Sequence, residues 1–388
     1  MNYLPLLTLV LLLISSGICP AAAAKSKGLF SGEILDVQLE TFVGDTPDTP
    51  AYIRETEDAV KRDPQVAESW LEIGKAQLKS GNWREAEQSF GRGLQIDSSQ
   101  ERIWTGYLIA IAKQEKYDSL LAKAGEAQLK IPGSTIGNFW SGYALESLEQ
   151  YDKAIEAFDL ALSIDPVDPD LLNNKAVALY NLGNFNDAIT VWEQVISLDP
   201  VYPDAWYGTG SALDALGKYD DAIAAYDQAI RIDAGYIRAW VNKGTALNSL
   251  GRHEEAIGVF DQALQIDSTY ALAWYNKGLS YNNLGQFEQA LSADDNAIKY
   301  DPTFALAWNN KGFALYSLGK HEEALLAYNQ ALQIDPDLAL GWMNKGFACG
   351  ALGRYGEAIE AFDQVLRINP ADPNALTNRK IAENALDT

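Results

Sequence analysis

Seven tryptophans, Trp70, Trp104, Trp206, Trp240, Trp274, Trp308 and Trp342, stand on one register of 34 residues, with Asn138 and Leu172 in the two places between. Four residues after these places come Gly74, Leu108, Gly142, Ala176, Gly210, Gly244, Gly278, Gly312 and Gly346. Sixteen after them come Ala86, Leu120, Ala154, Ala188, Ala222, Ala256, Ala290, Ala324 and Ala358. A fixed period of this length marks a supersecondary unit that buries its apolar face against copies of itself. It rules out a single centrosymmetric core.

The spacing inside a unit says what the unit is. From Pro203, AWYGTGSALDAL precedes a break at Gly217, and DDAIAAYDQAIRI follows it. Both stretches carry apolar residues at i, i+3, i+4 and i+7, which puts them on one face of an α-helix. Glycine stops the first helix, and proline closes most units after the second. Small residues at fixed places allow two antiparallel helices to approach closely. Tryptophan and a later ring (Phe90, Phe158, Tyr226, Phe260, Tyr328 or Phe362) fill the space beside them. The expectation is an all-α stack of helix pairs.

The pattern W-x3-G…A-x3-F/Y-x2-A…P on this period resembles the tetratricopeptide repeat family. The resemblance implies a right-handed α-solenoid of helix-turn-helix units. Nine are expected, at 67–100, 101–134, 135–168, 169–202, 203–236, 237–270, 271–304, 305–338 and 339–372. Residues 51–66 read as an incomplete leading repeat and 373–388 as a capping helix. The WYNKG and WNNKG variants resemble those of exported archaeal repeat proteins, methanogen ones especially.

The N-terminus has no register. Residues 4–14 are an apolar run, and Ala22 and Ala24 stand in A-x-A places, so 1–24 reads as a signal peptide cleaved near Ala24. The expected location is secreted or cell-surface. Left uncleaved, Leu4–Ala24 is long enough to serve as a membrane anchor. Residues 25–50 read as a linker between leader and array. EILDVQLETFV within it alternates as a strand does, but no partner strand is visible. After cleavage Cys349 is the one thiol, read as a small buried residue.

The chemistry-bearing residues are few. Two cysteines and two histidines exclude a cysteine-rich zinc module and a disulfide framework. A net charge of -23 excludes general binding of nucleic acid, which needs clustered cations. No phosphate loop, G-x-S-x-G or H-E-x-x-H occurs, so no catalytic residue, metal or cofactor is expected. His253 and His321 share one place in their units and read as rings packed at the turn. Asp294 replaces the ring of its unit. A buried carboxylate needs a partner, so the expectation is either Lys277 within salt-bridge reach or a carboxylate opened to solvent.

The family resemblance implies that places 2, 5, 6, 9, 12 and 13 of each unit line a concave groove. There Asn174, Asn242, Asn276, Asn310 and Asn344 form a ladder at the sixth place, beside Tyr180, Tyr207, Tyr275, Phe313, Tyr316 and Phe347. An amide offers one acceptor and two donors, which match an extended main chain. The ladder is therefore expected to hold a protein or peptide partner, in a non-enzymatic scaffold. A cell-envelope assembly or glycan-binding subunit is the alternative, and simple contact between neighbouring units is the bland reading of the same amides. A charged clamp for a carboxylate tail is missing. The first two units carry a basic cluster instead, Lys75, Lys79, Arg102 and Lys113.

Overall fold

The computed structural model describes residues 31–47 and 50–387, so the expected signal peptide lies outside the described residues. Among the described residues there are twenty-one helices and no strand. They fall into two bodies, divided after Gly217.

The first body opens with α1 (Ser31–Val43) and α2 (Pro50–Arg62). Four helix pairs follow: α3 (Ala67–Lys79) with α4 (Trp83–Ile96), α5 (Glu101–Ala112) with α6 (Tyr117–Lys130), α7 (Ile136–Ser147) with α8 (Tyr151–Leu162), and α9 (Pro169–Leu182) with α10 (Phe185–Leu198). It ends with α11 (Pro203–Ala215). The second body opens with α12 (Tyr219–Ile232). Its pairs are α13 (Ile237–Ser249) with α14 (His253–Ile266), α15 (Ala271–Asn283) with α16 (Phe287–Tyr300), α17 (Ala305–Ser317) with α18 (His321–Ile334), and α19 (Ala339–Ala351) with α20 (Tyr355–Ile368). A last helix, α21 (Pro373–Leu386), lies on α20. Within each body the repeat helices pack chiefly on their neighbours in sequence, and first helices also touch the first helix of the next unit.

The periodic residues have separable jobs. The glycine at the eighth place lets a ring lie against the first helix. A methyl group at Gly142, Gly244 or Gly346 would run into Phe158, Phe260 or Phe362. Those rings are buried, each contributing roughly 2–3 kcal/mol of apolar burial. Tryptophan departs from the expectation of core filling. Six of the seven are only half-buried, Trp104 being the buried one. Each indole N–H donates to the carbonyl six residues earlier, at 2.8–3.2 Å, and so ties down the turn between units. The aspartate that closes a second helix accepts from the backbone N–H two residues on, as at Asp199, Asp267 and Asp301.

The turn inside each pair needs a left-handed residue. Glycine supplies it at 81, 183, 217, 251, 285, 319 and 353, whereas Glu115 (φ 56°) and Glu149 (φ 59°) hold it in the second and third pairs.

The region expected as a linker is different. Residues 31–43 form α1, which packs on α3 and α5. Leu35, Leu39, Phe42 and Val43 follow the helical spacing and join the core cluster of the first units. The alternation that suggested a strand belongs to an apolar set that also fits period 3.6, and only a tertiary surface distinguishes the two.

Candidate interaction face

Place 6 points along the stack, and this decides the fate of the asparagine ladder. Asn174, Asn276, Asn310 and Asn344 are buried, and Asn242 is half-buried. Asn174 donates to its own helix at Asp170 O (2.6 Å), and Asn344 donates to Asn309 Oδ1 of the preceding unit (3.0 Å). Asn310 donates to Asp294 and accepts from Asn282 Nδ2 at 2.9 Å. Asn174, Asn310 and Asn344 thus spend amide hydrogen bonds within the chain, on their own helix or on neighbouring elements. A residue between positions 5 and 9 of a helix, but offset from both, turns toward the adjoining first helix rather than outward. Gly208 interrupts the row because the Trp192 ring occupies that space, its indole donating to Asn173 Oδ1 at 2.9 Å.

The expected aromatics are also engaged. Tyr207, Tyr275, Phe313 and Phe347 are buried, while Tyr180 and Tyr316 are half-buried. Tyr275 lies 4.9 Å from Phe304, Phe347 lies 5.8 Å from Phe362, and Tyr316 lies 4.9 Å from the His321 ring. His253 meets Asn248 Oδ1 at 3.0 Å, and burial holds its ring below the ordinary imidazole pKa. Both histidines are therefore rings at the inter-helix turn.

Asp294 is fully buried (0%) and not paired with Lys277. Lys277 takes Asp261 at 2.5 Å, one member of a series that includes Lys175–Asp159, Lys243–Asp227, Lys311–Asp295 and Arg379–Asp363. In these five helices the seventh place thus reaches the second helix before it, not its own. The partner of Asp294 is Asn310 Nδ2, at 2.7 Å. Burial pushes the Asp294 carboxyl well above its ordinary range, with the Asn310 bond acting the other way. Its Oδ2 has no partner.

The twelfth place, one of the six expected to line the groove, was represented among the expected contact residues only by Tyr180 and Tyr316. It shares a helix face with places 5 and 9. In the first body it holds Leu78 and Ala112 and then Glu146, Tyr180 and Asp214. Glu146 is 5% exposed, accepts from Asn181 Nδ2 at 3.2 Å and leaves Oε2 buried without a partner. Burial pushes Glu146 up to about 8 and Asp214 up to about 6, and Asp214 Oδ1 is likewise unpartnered. In the second body the same place holds Asn248 and Asn282, with Asn248 Nδ2 and Asn282 Oδ1 buried and unpartnered. The signal was present in the sequence as four polar residues at one register position. Nothing there distinguished it from the sixth.

Family profiles bear on these units directly. Profiles described as tetratricopeptide repeat match residues 173–237, 305–338 and 339–372, and one described as TPR repeat matches 142–183, 244–285 and 278–319. These are tetratricopeptide repeats. No curated protein matches the chain. Among solved structures, the APC/C hetero-tetramer Cut9-Hcn1 is 14% identical, with 85% of this chain and 80% of that one covered and a TM-score of 0.53. A tetratricopeptide repeat protein from Parabacteroides merdae is 15% identical over 64% of this chain and 99% of that one, also at 0.53. YrrB, described as a TPR protein with an unusual peptide-binding site, is 24% identical over 48% of this chain and 96% of that one, at 0.40. At these identities the likeness is one of fold, and the archaeal resemblance of WYNKG and WNNKG draws no support from it. TPR proteins in general mediate protein–protein interaction. Among the described residues no group of three or more His, Cys, Asp or Glu side chains is placed to hold a metal ion, and no helix is long and apolar enough to cross a membrane.

Proposed function

We propose that this chain is a non-enzymatic interaction scaffold, exported by its N-terminal leader, whose first-helix face binds an extended protein segment. The reading rests on one observation: Glu146, Asp214, Asn248 and Asn282, all at the twelfth place, each keep a buried polar atom without a partner. A buried unsatisfied group costs about 1–3 kcal/mol. Taken body by body, a main chain on the first body's face offers polar groups to the Glu146 and Asp214 carboxyls, and one on the second body's face offers an N–H to Asn282 Oδ1 and a C=O to Asn248 Nδ2. The half-buried Tyr180 and Tyr316 at the same place give it apolar contact. The sixth-place amides then hold the wall in shape rather than touch the ligand.

The test is a capture from the envelope fraction with the 25–388 chain, followed by affinity measurement on the captured partner with the Asn248→Ala/Asn282→Ala double variant. Two lost hydrogen bonds, at about 0.5–1.5 kcal/mol each, weaken binding about tenfold. The measurement is made at a temperature where circular dichroism shows the variant folded. Unchanged affinity under those conditions refutes the reading. Recovery of a carbohydrate instead of a protein favours the glycan-binding alternative.

A further inference from the structure

The first-helix face of the first two units already carries a ligand-like helix. α1 packs on α3 and α5, which are consecutive first helices. Its apolar stripe, Leu35, Leu39, Phe42 and Val43, enters the cluster formed by Leu71, Leu78, Phe90 and Ile103. Phe42 meets Phe90 edge-on, with centroids 6.0 Å apart. Gly106 stands at the sixth place, where most later units carry asparagine, and leaves room for two rings: a methyl group there would come within 2.4 Å of Phe90 and 2.8 Å of Phe42.

Charge holds α1 at its middle and at its C-terminal end. Lys113 pairs with Asp36 midway along the helix. Lys79 donates to Gly44 O at 2.8 Å, at the C-terminus of α1, where carbonyls are unpaired and the helix dipole favours a cation. Lys79 and Lys113 both occupy the thirteenth place of their units, and this accounts for half of the basic cluster seen in the sequence. The other half faces elsewhere, Lys75 to Glu72 and Arg102 to Glu68.

α1 has the properties of a tethered ligand more than of a core element. It has thirteen residues, with Val37, Thr41 and Val43 β-branched. A helix so short and so composed is marginal alone and takes its order from the surface it meets. It touches that surface along one stripe, leaving Val37 59% exposed. A few residues from Gly44 join it to α2, so in cis it competes at high effective concentration.

We propose that the α3–α5 face is a helix-binding site, that α1 is its resident occupant, and that a partner's acidic amphipathic helix binds there by displacing α1. The recognised pattern is the one α1 shows: an apolar stripe ending in an aromatic, a carboxylate about two turns before that aromatic, and a free C-terminal end for Lys79. This site is distinct from the twelfth-place row and does not depend on it.

The probe is a labelled peptide of residues 31–47, offered to the 25–388 chain and to its Phe42→Asp variant, which undocks α1. The peptide is expected to bind the variant about tenfold or more tightly than the native chain. Adding Lys79→Glu and Lys113→Glu, or raising the salt, removes that binding. A second form carries a protease site within residues 44–49. Once cut, it exchanges its α1 for the labelled peptide. The proposal is overturned if the cut chain keeps α1 through gel filtration in excess peptide, or if Phe42→Asp brings α3–α6 to unfolded hydrogen-exchange rates, because α1 is then permanent core. It is equally overturned if undocked chains dimerise and the peptide does not compete, which makes a second copy the occupant.

Discussion

The first-helix faces of the two bodies are built on one backbone and read differently. In the first body the face is charged and titratable: Lys79 and Lys113 hold α1, and Glu146 and Asp214 occupy the twelfth place. In the second body it is made of neutral amides, Asn248, Asn282, Asn310 and Asn344, most of them bonded to neighbouring units. A TPR array keeps its spacing through glycine, alanine and the indole tie, so the residues at places 6, 12 and 13 are free to vary. One body uses that freedom for salt-sensitive docking of a helix. The other uses it for a buried polar seam.

The largest expected effect separates the twelfth-place rows by pH. Glu146 has a folded pKa of about 8, raised from 4.5 by burial. Between those values the unfolded chain is ionised while the folded one keeps its proton, so stability falls as pH rises, by about 1.4 kcal/mol per pH unit in the window. Asp214 adds the same trend up to about 6. Urea unfolding of Glu146→Gln from pH 5 to 8 is expected to lose most of this slope and to be more stable than the native chain at pH 8. A native chain whose stability is flat over that range erases the contrast.

Next comes the seam of the second body. Asn310→Ala strips the one partner from Asp294 and an acceptor from Asn282. A loss of about 2–3 kcal/mol is expected in denaturant unfolding. A loss below about 0.5 kcal/mol means the amides are not a structural seam and returns them to the ligand.

Asp294→Phe sharpens the same point in the opposite direction. It restores the ring found at Phe260 and Tyr328 and removes a buried acid. Units with Phe158 or Phe260 accommodate Asn174 or Asn276 at the following sixth place, so Asn310 is compatible with the change. A gain of about 1–2 kcal/mol is expected, larger at pH 8 than at pH 5 because Asp294 resists ionisation.

The smallest effect concerns the turns. Glu149→Gly relieves a left-handed non-glycine residue and is expected to raise stability by about 1 kcal/mol by calorimetry. Gly285→Ala, at the equivalent turn of the second body, is expected to lower it by a similar amount.

Much of this architecture is legible in the residues. Period, helix pairs, turns and the small-residue contacts follow from spacing, because each is a local consequence of 3.6 residues per turn and of where a Cβ is missing. The lone Asp294 was legible as an anomaly, but Lys277 was the wrong partner. Spacing within a unit says which side chains share a face, whereas it does not say which neighbouring unit that face meets. The sixth and twelfth places look alike in the sequence for the same reason: only stacking brings Asn282 onto Asn310 and decides which atoms of either place are left unpaired. α1 lay furthest from reach. Its short apolar stripe fits a strand or a helix in isolation, and it is the surface of α3 and α5, with the lysines of two different units beside it, that gives it a place.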